Sequence, residues 1–121
     1  MIDHIGFAIS NSKQSNDFYS KALAPLGIEK VMEFGGWTGF GKNGKPEFWI
    51  GEAPQVQKPM HIAFSADNRE QVKQFYQAAL AAGGKDNGKP GVREEYHPNY
   101  YGAFVIDPDG HNIEAVCHSP E

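Results

Sequence analysis

The chain has 121 residues, 40% of them hydrophobic and 21% charged, which is the size and composition of one globular domain with a real core. A net charge of −4 without any Lys/Arg cluster speaks against a phosphate-backbone surface, so no nucleic-acid partner is expected. The single cysteine, Cys117, excludes an internal disulfide. No apolar run approaches the roughly 18–20 residues of a membrane span, and the start of the chain has no leader pattern, so a cytoplasmic protein without a membrane partner is expected.

Residues 2–9 form a short apolar run that reads as a strand. Asn11 and Ser12 are good N-caps, and Phe18, Ala22, Leu23 and Leu26 then make a helical stripe that Gly27 ends. Three strands follow at about 28–34, 37–42 and 47–52, with turns at Gly35-Gly36 and Asn43-Gly44. Residues 60–66 read as a strand again, Asp67-Asn68 as a cap, and Val72, Phe75, Tyr76, Ala79 and Leu80 as a second helical stripe closed by Gly83-Gly84. Residues 85–100, rich in Gly, Pro and Asn, read mostly as loop. Strands return at 101–107 and 112–118 around the turn Asp107-Pro108-Asp109-Gly110.

The two halves repeat. Shifted by 57 residues, positions 4–27 match positions 61–84 at 11 of 24 places without a gap, where unrelated segments would share roughly one or two. His4-Ile5-x-Phe7 falls on His61-Ile62-x-Phe64, Asn11 on Asn68, Gln14 on Gln71, and Phe18-Tyr19 on Phe75-Tyr76. The reading is one α+β domain over residues 1–121, built from two β-α-β-β-β modules, about 1–57 and 58–121.

Neighbouring residues of a strand point to opposite faces. Ile5, Phe7 and Ile9 are expected beneath the first helix, leaving His4, Gly6 and Ala8 on the other face. In the second module His61 takes the place of His4. In the last strand Ile113, Ala115 and Cys117 read as core, with Glu114, Val116 and His118 opposite. Two curved sheets would let His4, His61 and Glu114 converge. Two imidazoles and a carboxylate suit a divalent metal such as Fe, Mn, Ni, Co or Zn, and three protein ligands leave room for substrate. A lone strand histidine is more often merely hydrogen-bonded; its recurrence in register favours the site.

The segments Asp3-His4-Ile5-Gly6-Phe7, Met60-His61-Ile62-Ala63-Phe64 and Asp107-Pro108-Asp109-Gly110-His111-Asn112-Ile113-Glu114 resemble the signature pieces of the vicinal oxygen chelate superfamily, which includes glyoxalases, bleomycin-resistance proteins and dioxygenases. The resemblance spans essentially the whole chain. It implies a cupped mixed sheet around a metal held by His4, His61 and Glu114, a homodimer whose cups are often shared between chains, and a small oxygenated substrate. The fourth ligand of glyoxalase I–like members has no carboxylate counterpart: the expected equivalent is Ile50. Glu52, one pleat on, becomes a candidate fourth ligand or general base beside Glu114; Glu47 is excluded by its face.

Trp37, Phe48, Tyr96, Tyr100 and Tyr101 are candidate substrate-binding walls, although such rings equally often cover a core edge. His111 is expected to be exposed in its turn, His118 to lie at the rim and Cys117 to be core. Two functions stand: a metal-dependent lyase, isomerase or dioxygenase, or a metal-free drug-binding protein of the bleomycin-resistance type.

Overall fold

The computed structural model describes residues 1–57 and 59–120. It contains β1 (Ile5–Ile9), α1 (Ser12–Leu23) running into a 3₁₀ turn (Ala24–Leu26), β2 (Glu29–Phe34), β3 (Trp37–Lys42) and β4 (Lys45–Glu52). The same succession follows as β5 (His61–Ser65), α2 (Arg69–Ala81), β6 (Lys85–Val92), β7 (Tyr101–Ile106) and β8 (Asn112–Cys117). The repeated residues do repeated work at the helix starts. Asn11 Oδ1 accepts from the Gln14 N–H at 2.9 Å, and Asn68 Oδ1 from the Gln71 N–H at 2.8 Å, so each helix opens on a satisfied donor.

Each module makes a four-stranded mixed sheet, in the orders β1-β4-β3-β2 and β5-β8-β7-β6. The first strand pairs in parallel with the last, and the other pairings are antiparallel. Residues 85–92, expected to be loop, are the edge strand β6. Its ladder with β7 is irregular on both sides of Gly88, and its sequence carries no apolar alternation, because an outer strand can be held by backbone bonds alone.

Helices α1 and α2 pack on each other, and one hydrophobic cluster joins them to both sheets. From the first module it takes Phe7, Ile9, Phe18, Tyr19, Phe48 and Ile50; from the second Val72, Phe75, Val105 and Ile113. The faces bearing His4 and Glu114 are therefore turned away from the shared core.

The turn between β7 and β8 locks the modules together. Asp107, only 4% exposed, accepts from the N–H groups of Asp109 (2.9 Å) and His111 (2.8 Å) through Oδ1 and from the buried Tyr19 hydroxyl of α1 through Oδ2. Burial first, and then the Asp107 charge, push the Tyr19 phenol well above its ordinary range, so it acts only as a donor. Asp109 Oδ2 accepts from the Ser10 N–H at 3.2 Å. These bonds draw His111 inward. It is fully buried, not exposed: its ring lies 4.8 Å from that of Phe7, and its Nδ1 accepts from the Met60 N–H at 2.9 Å. Tyr19→Phe removes a buried donor from Asp107 and should cost about 1–3 kcal/mol of stability, read as a lower urea midpoint at unchanged slope. A midpoint equal to wild type would show the bond to be idle.

Candidate functional site

Parallel pairing aligns the side chains of register partners, and this decides which residues share a face. In the second module Ala63 pairs with Glu114 and Ile62 with Ile113. His61 Nε2 reaches Glu114 Oε1 at 2.8 Å. The Tyr100 hydroxyl bonds the other carboxylate oxygen, Oε2. Burial first, then the bond to Glu114 and its charge, hold the Tyr100 phenol well above its ordinary value, so Tyr100 is the donor. Glu114 is fully buried although it faces away from the helices. A side chain at Gly102 would press on it, since a Cβ there would stand 3.1 Å from Glu114 Oε2.

Other rings surround this group. Phe104, the β7 neighbour of Glu114, lies 6.1 Å from the His61 ring and carries the Arg93 guanidinium 5.5 Å above it. Tyr96 and His118 pack edge-on against Tyr100 at 5.0 and 5.2 Å. Arg93, overlooked in the sequence, makes no ion pair among the described residues; its Nη2 donates to the Lys89 carbonyl at 2.7 Å.

His4 lies elsewhere. It directly precedes β1, is largely exposed, and holds Asp3 Oδ1 at 2.8 Å through Nδ1. That bond, followed by the nearby Lys45 ammonium, lowers the Asp3 pKa. Its pocket is formed by Gly6, Phe34, Trp37 and Trp49. Among the described residues no three His, Cys, Asp or Glu side chains gather around one point. The structure thus brings His61, Glu114, Tyr100 and Tyr96 together, and puts His4 and Trp37 on the corresponding face of the other module.

Three expectations need correction. Gly6 pairs with Trp49 as Ala63 pairs with Glu114, so the position equivalent to Glu114 is Trp49 and not Ile50, which lies in the core. Glu52 shares the helix-side face with Ile50 and accepts from the Ser12 N–H of α1 at 3.0 Å, away from His61 and Glu114. Phe48 and Tyr101 also point to the core side. Phe48 is 3% exposed and lines, with Phe40, Phe64 and also His61 and Lys42, a pocket of about 470 Å³, while the Tyr101 ring lies under the Arg69 guanidinium at 4.9 Å.

A family model described as Glyoxalase/Bleomycin resistance protein/Dioxygenase superfamily matches residues 1–115. The chain belongs to this superfamily. No curated protein sequence matches it. Among solved structures, a glyoxalase/bleomycin resistance protein from Albidiferax ferrireducens T118 is similar at 24% identity and a TM-score of 0.84, over 97% of this chain and 98% of the other. A glyoxalase/bleomycin resistance protein/dioxygenase family enzyme from Burkholderia phytofirmans PsJN is 15% identical with a TM-score of 0.74, over 98% of both chains. The oxidase ChaP-H2 is 20% identical with a TM-score of 0.70, over 98% and 94%. At these identities the likeness is one of fold, and superfamily members of one fold catalyse different reactions.

Proposed function

We propose that this superfamily member is a divalent-metal-dependent enzyme acting on a small oxygenated molecule, with His61 and Glu114 of one subunit and His4 of a second subunit as ligands. The carrying observation is the 2.8 Å approach of His61 Nε2 to Glu114 Oε1. Two donors bound to one metal at about 2.1 Å and at right angles would themselves stand about 3 Å apart, so this pair fits a shared ion. Tyr100 then fixes the carboxylate rotamer from behind, and Asp3 holds His4 through Nδ1, the kind of support that metal ligands require. A bound divalent ion would supply Lewis-acid polarisation of a substrate oxygen. Superfamily members often bind such ions and often form dimers.

A second reading, metal-free sequestration of a ligand, draws on Trp49, an indole where the first module's counterpart of Glu114 should stand. Metal content of protein prepared without a histidine tag separates the two. The enzyme reading expects about one ion per chain, with affinity reduced roughly 100-fold or more by His61→Ala and Glu114→Gln, beyond the 10–100-fold typical of supporting residues. Glu52→Gln should leave metal content unchanged, because Glu52 serves the start of α1. Metal-free protein after metal-replete dialysis would favour sequestration.

A further inference from the structure

The face of the first module that carries His4 is paved in an unusual way. Trp37 pairs across the β3–β4 ladder with Gly51, and Trp49 with Gly39. A Cβ on Gly51 would fall 2.4 Å from Trp37 Cδ2, and one on Gly39 would fall 2.8 Å from Pro46 Cβ and 3.0 Å from Trp49 Cη2. A Cβ on Gly6 would stand 3.3 Å from Trp49 Cβ and 3.6 Å from Trp37 Cζ3. None of these three glycines has a positive φ, so backbone conformation does not call for glycine at any of them. What calls for it is space. Both indoles lie down on bare strand backbone, and glycine inside a strand marks such close approach.

The rings are nonetheless left open on their outer side. Trp37 is 37% exposed and Phe34, beside it, 77%. With Trp49, His4 and Gly6 they bound a pocket of about 380 Å³ in which, among the described residues, the only ionisable side chain is His4. That volume lies within the range of small-molecule sites, and flat aromatic walls favour offset stacking with another ring. We propose that Trp37 and Trp49 form a stacking floor for a planar aromatic group bearing an oxygen substituent, a phenol, naphthol or related ring, whose oxygen is directed to His4. This names the ligand class for the site proposed above and rests on that reading only for the meaning of His4.

The test needs no metal. Trp37 and Trp49 are the only two tryptophans in the chain, so their emission reports the floor directly. Chelator-treated full-length protein is titrated with 2-naphthol and, in parallel, with the saturated decahydro-2-naphthol, which keeps the oxygen and loses the flat ring. Binding is followed by equilibrium dialysis and by quenching of tryptophan emission. Saturable 2-naphthol binding with quenching, at least tenfold tighter than the saturated alcohol, is expected. Trp37→Leu and Trp49→Leu should each weaken it at least tenfold. Gly51→Val, which lifts the Trp37 ring, should do the same, and the leucine variants decide the matter if the valine variant does not fold. Equal binding of both alcohols or undiminished binding in the leucine variants would each overturn the floor. Naphthol binding by a protein that takes up no metal would leave the floor standing and sink the metal reading alone.

Discussion

Phe48→Ala is expected to lower the unfolding free energy by about 3–5 kcal/mol, a large part of the roughly 5–15 kcal/mol that holds a domain of this kind together. The ring sits where the modules meet. It lies 5.5 Å from Phe7, 4.9 Å from Tyr19 and 6.1 Å from Phe40, all of the first module, and 5.2 Å edge-on from Phe64 of the second. Truncation leaves a void between two sheets that have no hydrogen-bonded strand pair in common and so cannot close over it easily. The contrast is Trp37→Ala, whose ring is partly exposed and outside the core cluster, and which should cost clearly less, about 1–2 kcal/mol. Equilibrium urea unfolding of both variants checks the pair. A loss below 1 kcal/mol for Phe48→Ala would mean that the ring belongs to a binding wall and not to the joint between modules.

Phe48 also shows why some of the molecule could be read from its sequence and some could not. The repeat, gapless over 24 positions at a shift of 57, makes both modules legible as far as their helices, because identical residues meet similar neighbours: Phe18 and Phe75, and Ala22 and Ala79, are all fully buried. Beyond the helices the modules diverge in length. The second uses residues 93–100 to connect β6 with β7, where Gly35 and Gly36 suffice between β2 and β3. No constant shift then carries Glu114 back onto the first module, and only the alternation of a single strand bears on parity there. Lys45–Glu52 is apolar on both faces around Phe48, Trp49 and Ile50, so alternation could not tell indole face from core face. Only the pairing of Gly6 with Trp49 does. His111 escaped for another reason. Its position in a turn predicts exposure, whereas the Asp107 carboxylate gathers the turn's N–H groups and draws the ring under Phe7, a long-range effect that no local pattern carries.

Two inactive proteins should make one active site. If His4 of one subunit completes the His61–Glu114 pair of another, a His4→Ala dimer and a Glu114→Ala dimer each lack a ligand at both sites and bind metal weakly. Mixing their chains changes this. In the heterodimer, the Glu114→Ala chain contributes an intact His4 to the intact His61 and Glu114 of the His4→Ala chain, while the other site has lost both residues. Half of the wild-type metal content per chain should therefore return, at wild-type affinity, in a purified heterodimer. The geometry behind this is the separation of the two faces. The modules share one core through α1 and α2, His61 meets Glu114 on one outward face, and His4 stands exposed on the other with Trp37 and Trp49. Among the described residues β1 and β5 each leave one edge without a strand partner, as the two sheet orders require. Unpaired edges next to exposed aromatic faces are where a second copy would dock. Light scattering gives the first check, since the chain mass is 13.3 kDa and a dimer is expected at micromolar concentration. A monomer at that concentration would sink the shared site. A dimer whose verified heterodimer regains no metal would instead mean that His4 is no ligand of the His61–Glu114 site across subunits.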